Sequence, residues 1–161
     1  MAQDMFLKLE GIEGEATDAG HSGEIELVSW NWEVTQPSSM HSGSGGGTGK
    51  ARANDLEFVH ALDKASPNLF KYCVTGKHIP EAVLTIRKAG GSPLEYLKLT
   101  MKDVLVTLVR PSSASEEEGK ITETVRLSFT EIKEEYEVQD AAGASSGAVT
   151  AAYNFKENQE K

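Results

Sequence analysis

The sequence predicts a mainly β protein, a single domain over residues 1–161 built as one β-barrel of about eight antiparallel strands with one short flanking α-helix. Three observations lead there. Apolar residues recur at every second position along most of the chain, the spacing of strands whose two faces meet different surroundings. Only Pro67 to Thr75 changes to apolar residues at helical spacing. A chain of 161 residues is long enough to bury one sizeable core.

Each element has its own signal. Met5, Leu7 and Leu9 alternate with Lys8 and Glu10, and the strand ends at turn-forming glycines. In Glu24 to Gln36, Ile25 and Leu27 share one parity while Val28, Trp30, Trp32 and Val34 share the other, so a β-bulge is expected at Leu27 and Val28. Pro37 to Lys50 is a Gly-rich loop, and Leu56 and Phe58 mark a short strand after it. Ser66 and Pro67 suit an N-cap and first helical position, Leu69, Phe70, Cys73 and Val74 form an apolar stripe, and Gly76 suits the end. A hairpin follows, Ala82 to Arg87 returning through Ala89–Pro93 into Leu94 to Arg110. Within the returning strand, Val104 to Val109 is apolar on both faces, so a helix or a neighbouring subunit is expected to cover the second one. Ile121 to Val138 is expected to bury Val125, Leu127 and Phe129 and, after a phase slip near Ile132, Tyr136 and Val138. Ala141 to Ala148 reads as a loop of small residues before a last strand at Tyr153 and Phe155.

Composition narrows the function. With 16 basic against 25 acidic residues, the net charge of −9 repels a phosphate backbone, so nucleic acid is not an expected partner. No apolar run reaches the roughly 18 residues of a membrane-spanning helix, and membrane insertion is not expected. The start, MAQDMFLKLE, lacks a basic segment followed by an apolar one, so any export is expected to proceed without a Sec-type leader. The single Cys73 forms no intramolecular disulfide, which suits folding in a reducing compartment.

No catalytic constellation emerges. A phosphate loop ending at Gly49-Lys50 fails, because Ser44 stands at the first glycine position and Ala51 at the hydroxyl position. His21, His41, His60 and His78 are scattered, without the paired spacing of a zinc site, and no nucleophile elbow is present. An acid–base enzyme would need Glu15 or Asp18 paired with a second acid. Neither a cofactor nor enzymatic activity is therefore expected. The informative feature is geometric: with Trp30 and Trp32 turned to the core, Ser29, Asn31 and Glu33 form a polar opposite face, matched in character by Thr124, Arg126, Ser128 and Thr130.

At this point the sequence resembles the haemolysin-coregulated protein (Hcp) family of bacterial type VI secretion systems. The resemblance rests on His21, Glu24-Ile25 and Trp30-x-Trp32 near the start, and on the loop Met40 to Lys50. It continues through D-K-A-S-P-N-L (Asp63 to Leu69), C-V-T-G-K-H (Cys73 to His78) and L-T-I-R-K-A-G-G (Leu84 to Gly91). It implies an Hcp-like barrel, six copies closing into a ring, and rings stacking into a tube inside a contractile sheath. Effector proteins would ride in the lumen, with sheath and spike components as further partners. The tube would assemble in the bacterial cytoplasm and then be secreted. Asn31 matches the family position facing the pore, with Asn31 and Glu33 standing where serine and glycine are usual. Ser29, Asn31 and Glu33 are thus the candidate effector-binding face. Gly43, Gly45, Gly46, Gly47, Gly49 and Lys50 are the candidate ring-stacking loop, and Val104, Val106 and Leu108 the candidate subunit contact. A monomeric ligand-binding barrel and a phage-type tail tube subunit are the alternative readings.

Overall fold

Eighteen consecutive residues, Glu95–Ser112, run as one strand, and the rest of the fold is arranged around it. The computed structural model describes residues 3–41, 49–88, 94–113 and 120–161. In chain order the strands are β1 (Gln3–Leu9), β2 (Ile25–Glu26), β3 (Ser29–Asn31), β4 (Val34–Thr35), β5 (Arg52–Ala53) and β6 (Leu56–Ala61). The helix α1 (Ser66–Thr75) follows, then β7 (Ile79–Lys88), β8 (Glu95–Ser112), β9 (Thr122–Ser128), β10 (Glu131–Gln139), β11 (Ser145–Asn154) and β12 (Gln159–Glu160). All pairings are antiparallel. The segments outnumber the expected strands because two long runs are divided where the chain changes sheet.

One sheet has the order β12-β11-β10-β8-β7-β1-β2; the second runs β3-β6-β9 and is completed by the far half of β8. The first half of β8 pairs with β7 and β10, and the second half with β9. Between the halves stands Asp103 at φ +54°, a left-handed conformation that aspartate tolerates better than most residues. Thr130 N–H donates to Lys102 O at 3.1 Å where β9 hands over to β10, so both chains turn the corner together. A second corner lies at Leu27 and Val28: Leu27 N–H donates to Met5 O at 2.9 Å and Val28 N–H to Val59 O at 2.7 Å. The phase change expected there as a bulge is therefore a change of sheet. The barrel is not an uninterrupted ladder but two sheets meeting at these corners.

Between the sheets Leu7, Ile25, Phe58, Leu84, Met101 and Leu127 are fully buried. His60 is buried among them, its Nε2 2.9 Å from Oε1 of the buried Glu123, which ties β6 to β9. The helix ends as expected, with Gly76 at φ +68° and its N–H donating to Tyr72 O at 3.0 Å. Its start differs: Ala65 is the N-cap residue, its N–H donating to Asp63 Oδ1 at 2.8 Å, while Ser66 Oγ accepts from Asp63 N at 3.2 Å. The buried stripe is narrower than expected. Leu69 is fully buried, but Phe70 and Val74 face solvent.

Three further expectations change. Val104 and Val106 are buried in the chain's own core, so they are not available to a neighbouring subunit; Leu108, half-buried, lies beyond a register shift that follows Val106. Tyr136 and Val138 are exposed, because no second sheet lies over that part of β10. Ala144 to Ala148 is mostly strand, since β11 starts at Ser145 after a short turn in which Asp140 Oδ1 accepts from Ala142 N and Ala144 N, both at 2.9 Å.

Candidate functional surfaces

Ser29 and Asn31 face outward on β3, and ladder register decides what stands beside them. Asn31 lies opposite Glu57 of β6, which lies opposite Arg126 of β9. Directly opposed residues share a face, so the three side chains form one row. Asn31 Nδ2 donates to Glu57 Oε1 at 3.4 Å, and Arg126 Nε donates to Glu57 Oε2 at 2.8 Å. The Arg126 hydrogen bond, followed by that of Asn31, holds the Glu57 carboxyl below its usual range. Glu33 follows β3 and accepts from Asn54 Nδ2, while Asp55 Oδ2 accepts from Thr107 Oγ1 at 2.5 Å. Asn31, Glu33, Asn54, Asp55, Glu57 and Arg126 line an open hollow of about 530 Å³. Ser29, Asn31 and Glu33 thus belong to one polar face, as expected. Asp55 and Glu57 join it only through strand pairing, a relation between segments about 25 residues apart that no local pattern displays.

Of the candidate stacking loop, Gly49 and Lys50 are exposed, Gly49 N–H donating to Pro37 O at 3.4 Å. Gly43, Gly45, Gly46 and Gly47 lie outside the described residues. Glu15 and Asp18 do not form an acid pair. Glu15 Oε2 accepts from Lys64 N at 3.0 Å, and Asp18 is bonded by the Arg87 guanidinium. Among the described residues no three His, Cys, Asp or Glu side chains converge as metal ligands, and no helix is long and apolar enough to cross a membrane.

A surface that sequence periodicity misplaces lies on β10 and β11. Tyr136 is opposite Leu97 of β8 on one side and Val149 of β11 on the other, so this face continues the one that Leu99 and Met101 turn to the core. Here it is bare: Tyr136, Val138 and Val149 are 48, 40 and 65% exposed. The adjoining edge is open as well. β12 pairs only with Tyr153 and Asn154, so among the described residues no strand lies along the outer edge of β11 from Ser145 to Ala151. That edge, Ser-Ser-Gly-Ala-Val-Thr-Ala, carries neither charge nor proline, the usual guards against strand addition.

Comparison with known proteins gives one answer. The family described as type VI secretion system effector, Hcp, matches residues 6–136. Protein hcp1 of Pseudomonas aeruginosa is 44% identical over 160 residues, covering 98% of each chain. The crystal structure of Hcp1 from Salmonella typhimurium is 50% identical, with a TM-score of 0.83 and full coverage of both chains. A type VI secretion system effector from Yersinia pestis is 40% identical, with a TM-score of 0.77 over 94% of this chain and 99% of that one. Sequence and sheet arrangement agree across nearly the whole length: the chain belongs to the Hcp family of type VI secretion system proteins.

Proposed function

We propose that this chain is a tube subunit and effector carrier of a bacterial type VI secretion system, and that it acts without catalysis. Copies close side by side into a ring, six as the family resemblance implies, and rings stack within a sheath that ends in a spike. The observation that carries the reading is the bare apolar face of Tyr136, Val138 and Val149 beside the open edge of β11. A face this apolar at an unguarded edge gains stability from a neighbouring copy, and a head-to-tail contact between unlike surfaces generates a ring when its rotation closes. The contact expected at Val104 and Val106 is thereby reassigned, with half-buried Leu108 at most at its margin.

Ser29, Asn31 and Glu33, with Glu57 and Arg126 beside them, line the bore, where weak polar contacts repeated around the ring hold an effector by avidity. Gly49 and Lys50, at the end of the Gly-rich loop, meet the next ring. Assembly takes place in the bacterial cytoplasm and release follows through the secretion apparatus. The alternative of a barrel enclosing a ligand needs an interior chamber, and that interior is filled by Phe58, Leu99, Met101 and Leu127. Light scattering after gel filtration tests the proposal. A mass near six times 17.4 kDa supports it, and a chain of 17.4 kDa at every concentration overturns it.

A further inference from the structure

Two apolar surfaces of this chain have opposite shapes, and the convex one is on α1. Phe70 and Val74 stand four residues apart and so form one ridge on the helix, where they are 60 and 64% exposed. The helix spends its buried side on Ser66 and Leu69, and nothing in its own domain uses the ridge. Lys71, three residues before Val74, borders the ridge, Lys77 follows the helix end, and α1 itself carries no acidic residue. In a chain of net charge −9 this is a locally basic, apolar surface.

The concave surface belongs to β10 and β11. Ile132, Glu134 and Tyr136 lie opposite Tyr153, Ala151 and Val149, so the six side chains share one face. Toward Ile132 and Tyr153 that face is the floor of an apolar hollow of about 380 Å³, with Trp32, Val34 and Phe155 around it. Toward Tyr136 and Val149 it runs on into the bare face beside the open edge of β11. The charged residues lining the hollow, Glu134 and Glu160, are acidic and exposed.

We propose that α1 of one copy docks in this hollow on the next copy, with Phe70 and Val74 entering between Trp32, Val34 and the β10–β11 floor and Lys71 meeting Glu134. The inference rests on the reading of the chain as a ring subunit and names the surface that the neighbour contributes. Helix and hollow match in three respects: apolar against apolar, ridge against groove, and lysine against glutamate. An amphipathic helix anchored through residues at i and i+4 in an apolar groove is a recurrent mode of recognition, and an aromatic anchor in a pocket bordered by charge is where binding energy concentrates. Two arguments select a second copy as the occupant. The hollow is continuous with the face already assigned to the neighbouring subunit. Every chain also carries both ridge and hollow, so a head-to-tail contact that closes leaves neither uncovered in any subunit.

The test uses the full-length chain. In Phe70→benzoylphenylalanine, irradiation of purified rings is expected to give a product of twice the chain mass on a denaturing gel, with position 70 joined to peptides containing Trp32–Val34 or β10–β11. Lys71→Glu and Glu134→Lys should each raise the concentration at which rings dissociate, read by light scattering, on the order of tenfold. The double exchange carries the parent's net charge and should return to within about threefold of the parent, because the two sites are in contact. Rings of parental mass whose cross-links fall on other peptides, or a double exchange that dissociates as readily as the single ones, overturn the docking and leave the ring reading standing. A parent chain of 17.4 kDa at every concentration overturns both.

Discussion

Asp103 is a residue whose backbone matters more than its neighbours suggest. Its Oδ1 accepts from His78 Nδ1 at 2.7 Å, but both groups are largely exposed, so the pair itself adds little. The left-handed φ of +54° at the bend of β8 is the stronger constraint. Asp103→Gly is expected to be nearly neutral, whereas Asp103→Val should cost ~1–2 kcal/mol by chemical denaturation, since a branched side chain clashes in that conformation. Nothing in Lys102-Asp103-Val104 announces the bend, because alternation looks the same whether a strand stays in one sheet or passes between two. Asp18 adds a pH dependence. Hydrogen bonding from Arg87 lowers its folded-state pKa, so its stabilisation is complete above the ordinary aspartate range and is lost as pH falls through the lower folded value. Asp18→Asn should therefore denature more easily than the parent at about pH 6 and converge with it only in acid, once pH has fallen through the lowered folded-state value. An equal difference in urea midpoint at both pH values would show that the Arg87 pair is not its source.

At the scale of elements, the helix was legible at its end, where Gly76 takes the conformation its position suggests, and less so along its face, where Phe70 and Val74 remain uncovered. The run Val104 to Val109 is apolar on both parities, and sequence alone does not say which parity the core takes; packing takes Val104 and Val106. The start of β11 is hidden for a different reason. Ser145 to Ala148 has no β-branched or aromatic residue, so its strand structure comes from pairing with β10 rather than from local preference. This hairpin is where assembly can be tested with least damage to the fold. Val149→Glu places a charge on an exposed position, so the isolated domain should keep its stability to within about 0.5 kcal/mol. The same variant should reduce the scattering mass from that of a ring to 17.4 kDa, and a ring that persists would move the contact elsewhere.

For the molecule as a whole, composition already set the main electrostatic condition. Each chain carries a net charge of −9, so rings of six copies, as proposed, would repel one another over the screening length of the buffer. That length is about 30 Å at about 0.01 M salt and about 8 Å at about 0.15 M, so stacking of purified rings should increase with salt. Turbidity and electron microscopy read this directly, and longer tubes at the lower salt would mean that local attractions between ring faces outweigh the net repulsion. The family resemblance could be read from motif order, while the polar row Asn31–Glu57–Arg126 and the open hairpin required the ladder register. The passage of β8 through both sheets has a mechanical consequence. A tensile load entering one layer and leaving by the other travels through continuous peptide bonds at Asp103, so the two layers cannot be peeled apart along that seam merely by rupturing hydrogen bonds.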